Sequence, residues 1–138
     1  MVRDAVEGGC QCGAVRFRIG LPSKWCAHCH CSMCRRAHGA GFVTWVGSAS
    51  ERFELLSGEA ELRRYRSSEL ATRSFCGRCG TMLFFESSRW PGEIHVTLAH
   101  LDSSEGLAPQ AHAYWGSRVP WADFSDTELP KVEPTGHA

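Results

Sequence analysis

Apolar residues along this chain recur mostly with a period of two, in short runs separated by Gly, Pro and Ser. Val15, Phe17 and Ile19 alternate with Arg16 and Arg18, the pattern of a strand with one buried face, and Gly20 to Pro22 stop it. Residues 42–46 are apolar and β-branched, and Gly41 and Gly47 bracket them. Residues 52–56 and 61–66 predict a hairpin turning at Ser57-Gly58. Residues 72–75 and 81–85 flank Cys76-Gly77-Arg78-Cys79-Gly80, so a tight knuckle stands where a hairpin turn would. Ile94, Val96 and Leu98 alternate with His95, Thr97 and Ala99 in a further strand. Only residues 32–38 read as a helical turn or two. The pattern predicts a mainly β single domain with short helical turns. Beyond Leu129 the chain is polar and contains Pro, and its last residues are expected to fray.

The bulk properties narrow the class of function. At 138 residues the chain fits one domain. Its formal net charge is zero, which removes the electrostatic footprint of a nucleic-acid binder despite Arg35-Arg36 and Arg63-Arg64. Residues 1–9 contain no apolar run, so no secretory leader is expected. No eighteen apolar residues run together, so no membrane span is expected. A cytoplasmic address follows, where thiols stay reduced. The eight cysteines are then better read as metal ligands than as disulfides.

Those cysteines fall into three clusters: Cys10 and Cys12; Cys26, Cys29, Cys31 and Cys34; Cys76 and Cys79. A structural zinc takes four ligands in a tetrahedron, with sulfur at about 2.3 Å. Cys76 and Cys79 supply two sulfurs from a knuckle that Gly77 and Gly80 keep tight, and Cys10-Gln11-Cys12 is a second chelating turn. Together they predict a closed four-cysteine zinc site clipping the chain's start to its middle. Cys29, Cys31 and Cys34 place three sulfurs within six residues, and three protein ligands with one free position is the pattern of a catalytic zinc. Cys26 could close that site, since Cys26-Ala27-His28-Cys29 is itself C-x-x-C, but it is expected to stay outside the metal. Two zinc ions per chain are expected. His28, His30, His38, His100 and His112 read as core or partner histidines rather than ligands.

Three stretches carry a family resemblance. Gly9-Cys10-Gln11-Cys12-Gly13-Ala14-Val15-Arg16-Phe17, Cys29-His30-Cys31-Ser32-Met33-Cys34-Arg35-Arg36-Ala37-His38-Gly39 and Phe75-Cys76-Gly77-Arg78-Cys79-Gly80-Thr81 resemble the glutathione-dependent formaldehyde-activating (GFA) family, including GFA domains of the centromere protein V type. Leu101-Asp102 and Pro109-x-x-His112 are similar to its C-terminal part, so the resemblance spans residues 5–130 and leaves 131–138 as a tail. It implies the Mss4-like β-tent fold. It also implies Cys10, Cys12, Cys76 and Cys79 as structural zinc ligands, with Cys29, Cys31 and Cys34 holding a catalytic zinc. Cys26 is additional to those seven.

A zinc with three thiolates carries a net charge of about minus one, which blunts its power to ionise water. A sulfur-rich site prefers a thiol as its last ligand and deprotonates it. The activity expected from the resemblance is that of a carbon–sulfur lyase run in the synthetic direction, joining glutathione or a similar thiol to formaldehyde or a related small aldehyde. Arg35 and Arg36 are candidates for glutathione's carboxylates, or a solvated basic pair. Trp25, Phe42 and Trp45 read as pocket wall or as core. The competing reading is a non-catalytic, zinc-stabilised protein-interaction module on the same fold.

Overall fold

Residues 3–123 and 129–131 are described by the computed structural model, and the expected fraying of the tail falls, Lys131 apart, outside them. In chain order the elements are β1 (Ala5–Gly9), β2 (Arg16–Gly20), β3 (Trp25–Cys29), α1 (Ser32–His38), β4 (Val43–Ala49), β5 (Phe53–Ser57), β6 (Leu62–Arg66), β7 (Ala71–Cys76), β8 (Met82–Ser87), β9 (Glu93–Thr97) and β10 (Ala111–Ala113). They sort into a three-stranded sheet, β1-β2-β5, and a seven-stranded sheet, β10-β3-β4-β9-β8-β7-β6. The architecture is mainly β and forms a single domain. All neighbours pair antiparallel except β10, which lies parallel to β3 with His112 opposite His28. No helix among the described residues is long and apolar enough to cross a membrane.

The period-two pattern explains how the sheets meet. Phe17 and Ile19 turn inward from β2 and are fully buried, while Arg16 and Arg18 stay on the outer face. There Arg16 pairs with Asp102 at 2.6 Å, and Arg18 with Glu54 at 2.9 Å. Exposed pairs of this kind add little stability. The join between sheets is aromatic: Phe84 of β8 meets Phe17 and Phe53 of the small sheet edge-on, each at 5.0 Å between centroids. Such contacts add to the apolar burial that drives folding.

Two elements were legible almost to the residue. The helix occupies residues 32–38 as expected, capped by the Cys31 sulfur and closed by Gly39 in the left-handed region at φ 60°. β7 and β8 pair antiparallel across the Cys76–Cys79 knuckle. The hairpin expected across residues 52–66 does not form. β5 joins β2 in the small sheet, and β6 pairs with β7 in the large one. Phe53 and Leu55 pack against the core under the small sheet, and a short 3-10 turn at Glu59–Glu61 carries the chain across. Core burial overrode the local turn signal.

Candidate metal centres

The first centre lies where the β1–β2 turn meets the β7–β8 knuckle. Cys10, Cys12, Cys76 and Cys79 bring their sulfurs within 4.8 Å of one another. Cys10 and Cys12 sulfurs stand 3.6 Å apart, and Cys12 and Cys76 sulfurs 3.8 Å. A tetrahedron with metal–sulfur bonds of about 2.3 Å has an edge of about 3.8 Å. The donor set therefore fits zinc in both chemistry and spacing. Gly13 and Gly80, both at φ 80°, make the two chelating turns, and the Gln11 amide donates to Thr81 Oγ1 at 3.1 Å to tie one to the other. The Thr81 hydroxyl, 3.1 Å from Cys79 Sγ, leads the contacts that hold that thiol down to about 5.

The second centre sits at the join of β3 and α1. Cys29 ends the strand, Cys31 caps the helix and Cys34 lies in its first turn; the three sulfurs again converge within 4.8 Å. Cys29 donates to Cys34 across 3.7 Å, another tetrahedral edge, and Cys31 Sγ accepts the Cys34 amide at 3.3 Å. The Cys34 thiol is held down to about 5, first by the Cys29 bond and, against its burial, by the Arg73 guanidinium. Arg73 Nη2 donates to Cys34 Sγ at 3.6 Å. Cys29 is pushed the other way, by that shared proton and by burial. One thiolate with a buried counter-cation is thus favoured before any metal is bound.

Cys26 is not part of this trio. Residues i and i+3 of a strand face opposite sides, and Cys26 packs in the main core while Cys29 joins a smaller cluster with Cys34, Val43 and Trp45. All eight cysteines are free thiols. His28, His30, His38, His100 and His112 lie outside both sulfur groups; His28 pairs with Thr44 at 2.8 Å, and His30 with His112 at 2.9 Å.

The trio opens onto a cavity of about 490 Å³, and none of the quartet lines it. Its walls are aromatic: Trp25 and Trp45, as the sequence suggested, with Phe85, Trp90 and Tyr114. Phe42 instead packs against His28 and His30. Arg35 and Arg36 do not line it, and Arg35 Nε donates to the His30 carbonyl. The guanidiniums that do are Arg73, buried beside the sulfurs, and Arg89, exposed over the Trp90 ring. His95 also faces the cavity, bonded to Glu93 at 2.9 Å and stacked on Phe85. Burial lowers its pKa although Glu93 opposes this. Arg73 and His95 were missed from the sequence. The signal for Arg73 was a cation two residues after buried Ala71, on the strand leading to a chelating knuckle.

The GFA family model, described as glutathione-dependent formaldehyde-activating enzyme, matches residues 5–117. The chain belongs to the GFA family. A Halomonas elongata protein named "Putative glutathione-dependent formaldehyde-activating enzyme" is 29% identical over 131 residues, covering 89% of this chain and 83% of that protein. A Schizosaccharomyces pombe protein named "Uncharacterized lyase C29B12.13" is 32% identical over 79 residues, or 57% of this chain and 56% of the yeast one. A crystal structure of a Rhodobacter sphaeroides protein superposes with a TM-score of 0.63 at 26% identity, covering 78% of this GFA chain and 99% of the other. Membership of the GFA family and the lyase relative support an enzyme role.

Proposed function

We propose that this chain is a zinc-dependent carbon–sulfur lyase that joins glutathione, or a thiol like it, to formaldehyde or a related small aldehyde. The observation that carries the reading is that the three-sulfur centre lines an aromatic cavity that the four-sulfur centre does not reach. Cys10, Cys12, Cys76 and Cys79 would hold a structural zinc, and Cys29, Cys31 and Cys34 a second. Bound at the trio, zinc would accept a thiol as its remaining ligand and keep it as the thiolate nucleophile.

The chain's own residues do the rest. The short helix fixes Cys31 and Cys34 on one turn, and β3 fixes Cys29 against them. Trp25, Trp45 and Phe85 exclude water from the space in front of the sulfurs, which strengthens every charge interaction there. Arg73 supplies the counter-charge for a centre that is negative overall. Arg89, exposed and lining the cavity, would pair a carboxylate of the thiol, the role for which Arg35 and Arg36 were candidates. The thiolate sulfur then adds to the aldehyde carbon, and the oxygen so charged takes up the proton the thiol gave. A reducing, cytoplasmic setting belongs to this proposal, since both centres need free thiols.

The test is metal analysis and thiol titration on one preparation. Zinc-edge absorption should show a fourth sulfur entering one of two zinc sites when glutathione is added, and formaldehyde should then be consumed faster than in protein-free solution. Four protein ligands at both sites, or no thiol uptake at millimolar glutathione, would overturn the enzyme reading in favour of a scaffold.

A further inference from the structure

Arg73 carries more chemistry than a counter-charge needs. Its side chain is 4% exposed, an unusual burial for a guanidinium. Two of its faces are accounted for. Nη2 donates to Cys34 Sγ, and the guanidinium plane sits 4.8 Å from the centroid of Phe85. The other amino group, Nη1, is buried with no acceptor among the described residues. Buried donors without partners are rare, because the group gives up water and gains nothing in exchange. Other such atoms occur at His30, His38 and Ser67, but of these residues only Arg73 lines the cavity. His95 is no substitute, since its Nε2 is committed to Glu93.

An acceptor-less guanidinium N–H beside three sulfurs marks a place for a ligand oxygen, and the oxygen's distance from sulfur is constrained. Nη2 of the same guanidinium touches Cys34, so Nη1 lies near that sulfur, where an oxygen on a group carried by the entering thiol is the nearest candidate acceptor. We propose that Arg73 is a catalytic residue, donating through Nη1 to the aldehyde oxygen as the carbon–sulfur bond forms. This rests on the thiol-addition reading above and names its oxyanion donor. In the step, the thiolate lone pair forms the S–C bond, the C=O π pair moves to oxygen, and the alkoxide takes the proton released by the thiol. Arg73 lends a hydrogen bond and transfers no proton. Its donor is fixed before the reaction and faces charge that develops only during it, the arrangement that stabilises a transition state over a ground state.

The inference selects among ligands that react with nothing. Thioacetate carries an oxygen on the carbon bonded to its sulfur, as the adduct does, whereas ethanethiol has the same size without the oxygen. Both are titrated into zinc-loaded protein, wild type, Arg73→Lys and Arg73→Met, at one pH, and the ratio of their dissociation constants is compared. Comparing ratios across variants cancels the different acidities of the two thiols. The wild-type preference for thioacetate should fall roughly ten- to a hundredfold in Arg73→Met, the range of one charge-assisted hydrogen bond, and less in Arg73→Lys. An unchanged ratio in an Arg73→Met protein that keeps its zinc would overturn the assignment. Where that variant does not fold or hold zinc, the wild type decides through nitrogen-15 spectra of its arginine side chains. The slowly exchanging buried guanidinium should shift with thioacetate and not with ethanethiol, and equal responses would again overturn the proposal. Failure of either thiol to bind wild type sinks the thiol-site reading itself, and this inference with it; binding without the oxygen preference sinks this inference alone.

Discussion

Replacing Gly47 by alanine tests whether the cavity wall depends on a side chain's absence. Gly47 of β4 lies opposite Trp25 of β3. A Cβ at Gly47 would stand 2.8 Å from Trp25 Cδ1, and nearer still to Cε2 and Nε1. Carbon atoms settle at about 3.5–4.0 Å, so the indole must withdraw by roughly 1 Å or more. Withdrawal breaks the 3.0 Å bond from Trp25 Nε1 to Glu93, the same carboxylate that holds His95. Overpacking a fitted site costs about 1–3 kcal/mol, and a lost bond to a charged acceptor about 1.5–3 kcal/mol. The two overlap because the same ring movement causes both, so a loss of about 2–4 kcal/mol is expected. For a domain of this size that lowers Tm by roughly 6–16 °C. Circular dichroism melts, with tryptophan emission as a reporter of the indole's new setting, measure both consequences. Metal content should match wild type, since no sulfur of either centre moves. A Gly47→Ala protein melting within about 2 °C of wild type, with unchanged emission and glutathione affinity, would refute the packing argument.

Four further substitutions separate the roles of the cysteines and the carboxylate. Cys79→Ser should cost several kcal/mol, on the order of half a small domain's stability, because metal binding there is coupled to folding. On the other centre, Cys31→Ala should lose one zinc while Cys26→Ala keeps both; metal analysis with melting curves checks all three variants. Glu93 titrates below its ordinary 4.5: burial opposes ionisation, but the His95 and Trp25 bonds outweigh it. Its ionised form is therefore favoured by folding, so its contribution is fully present above about pH 4.5 and fades as pH falls through the lower folded value. Glu93→Gln should accordingly be destabilised by about 1–3 kcal/mol at pH 7 and converge on wild type in acid, which urea melts from pH 7 to pH 3 would show.

How much of this was legible beforehand depends on the range of the forces involved. Period-two patterning found β2 and β9, an apolar run bracketed by glycines found β4, and the stretches flanking the knuckle found β7 and β8. β1 and β10 were missed. β1 carries Val6 as its one buried apolar side chain and ends in Gly8-Gly9, and β10 is three residues with no buried side chain. β3 was hidden because its sequence, Trp25-Cys26-Ala27-His28-Cys29, read as a chelating motif instead of a strand. The hairpin failed for a different reason. Gly58 does take a left-handed turn, at φ 90°, packed closely against Ala14, but the strands on either side of it pair into different sheets, β5 with β2 and β6 with β7. Among site residues the sulfurs were legible from spacing, since chelating turns are local. Arg73, Arg89 and His95 were not, since they reach the cavity only through the order of strands in the large sheet.

That strand order also explains why one centre gathers four sulfurs and the other three. The quartet takes two sulfurs from each of two turns, and turns at sheet edges can approach from opposite sides until a tetrahedron is complete. The trio takes all its sulfurs from one continuous stretch, β3 running into α1. The only other cysteine of that stretch, Cys26, is bound by the pleat to the far side of β3. A one-residue slip of β3 against β4 would bring Cys26 round only by turning Cys29 away, because residues three apart on a strand keep opposite faces in any register. The pleat itself keeps the trio from becoming a second cage. The three-sulfur grouping is thus maintained by the packing of the sheet, and its residues line the same cavity as Arg73 and the aromatic wall.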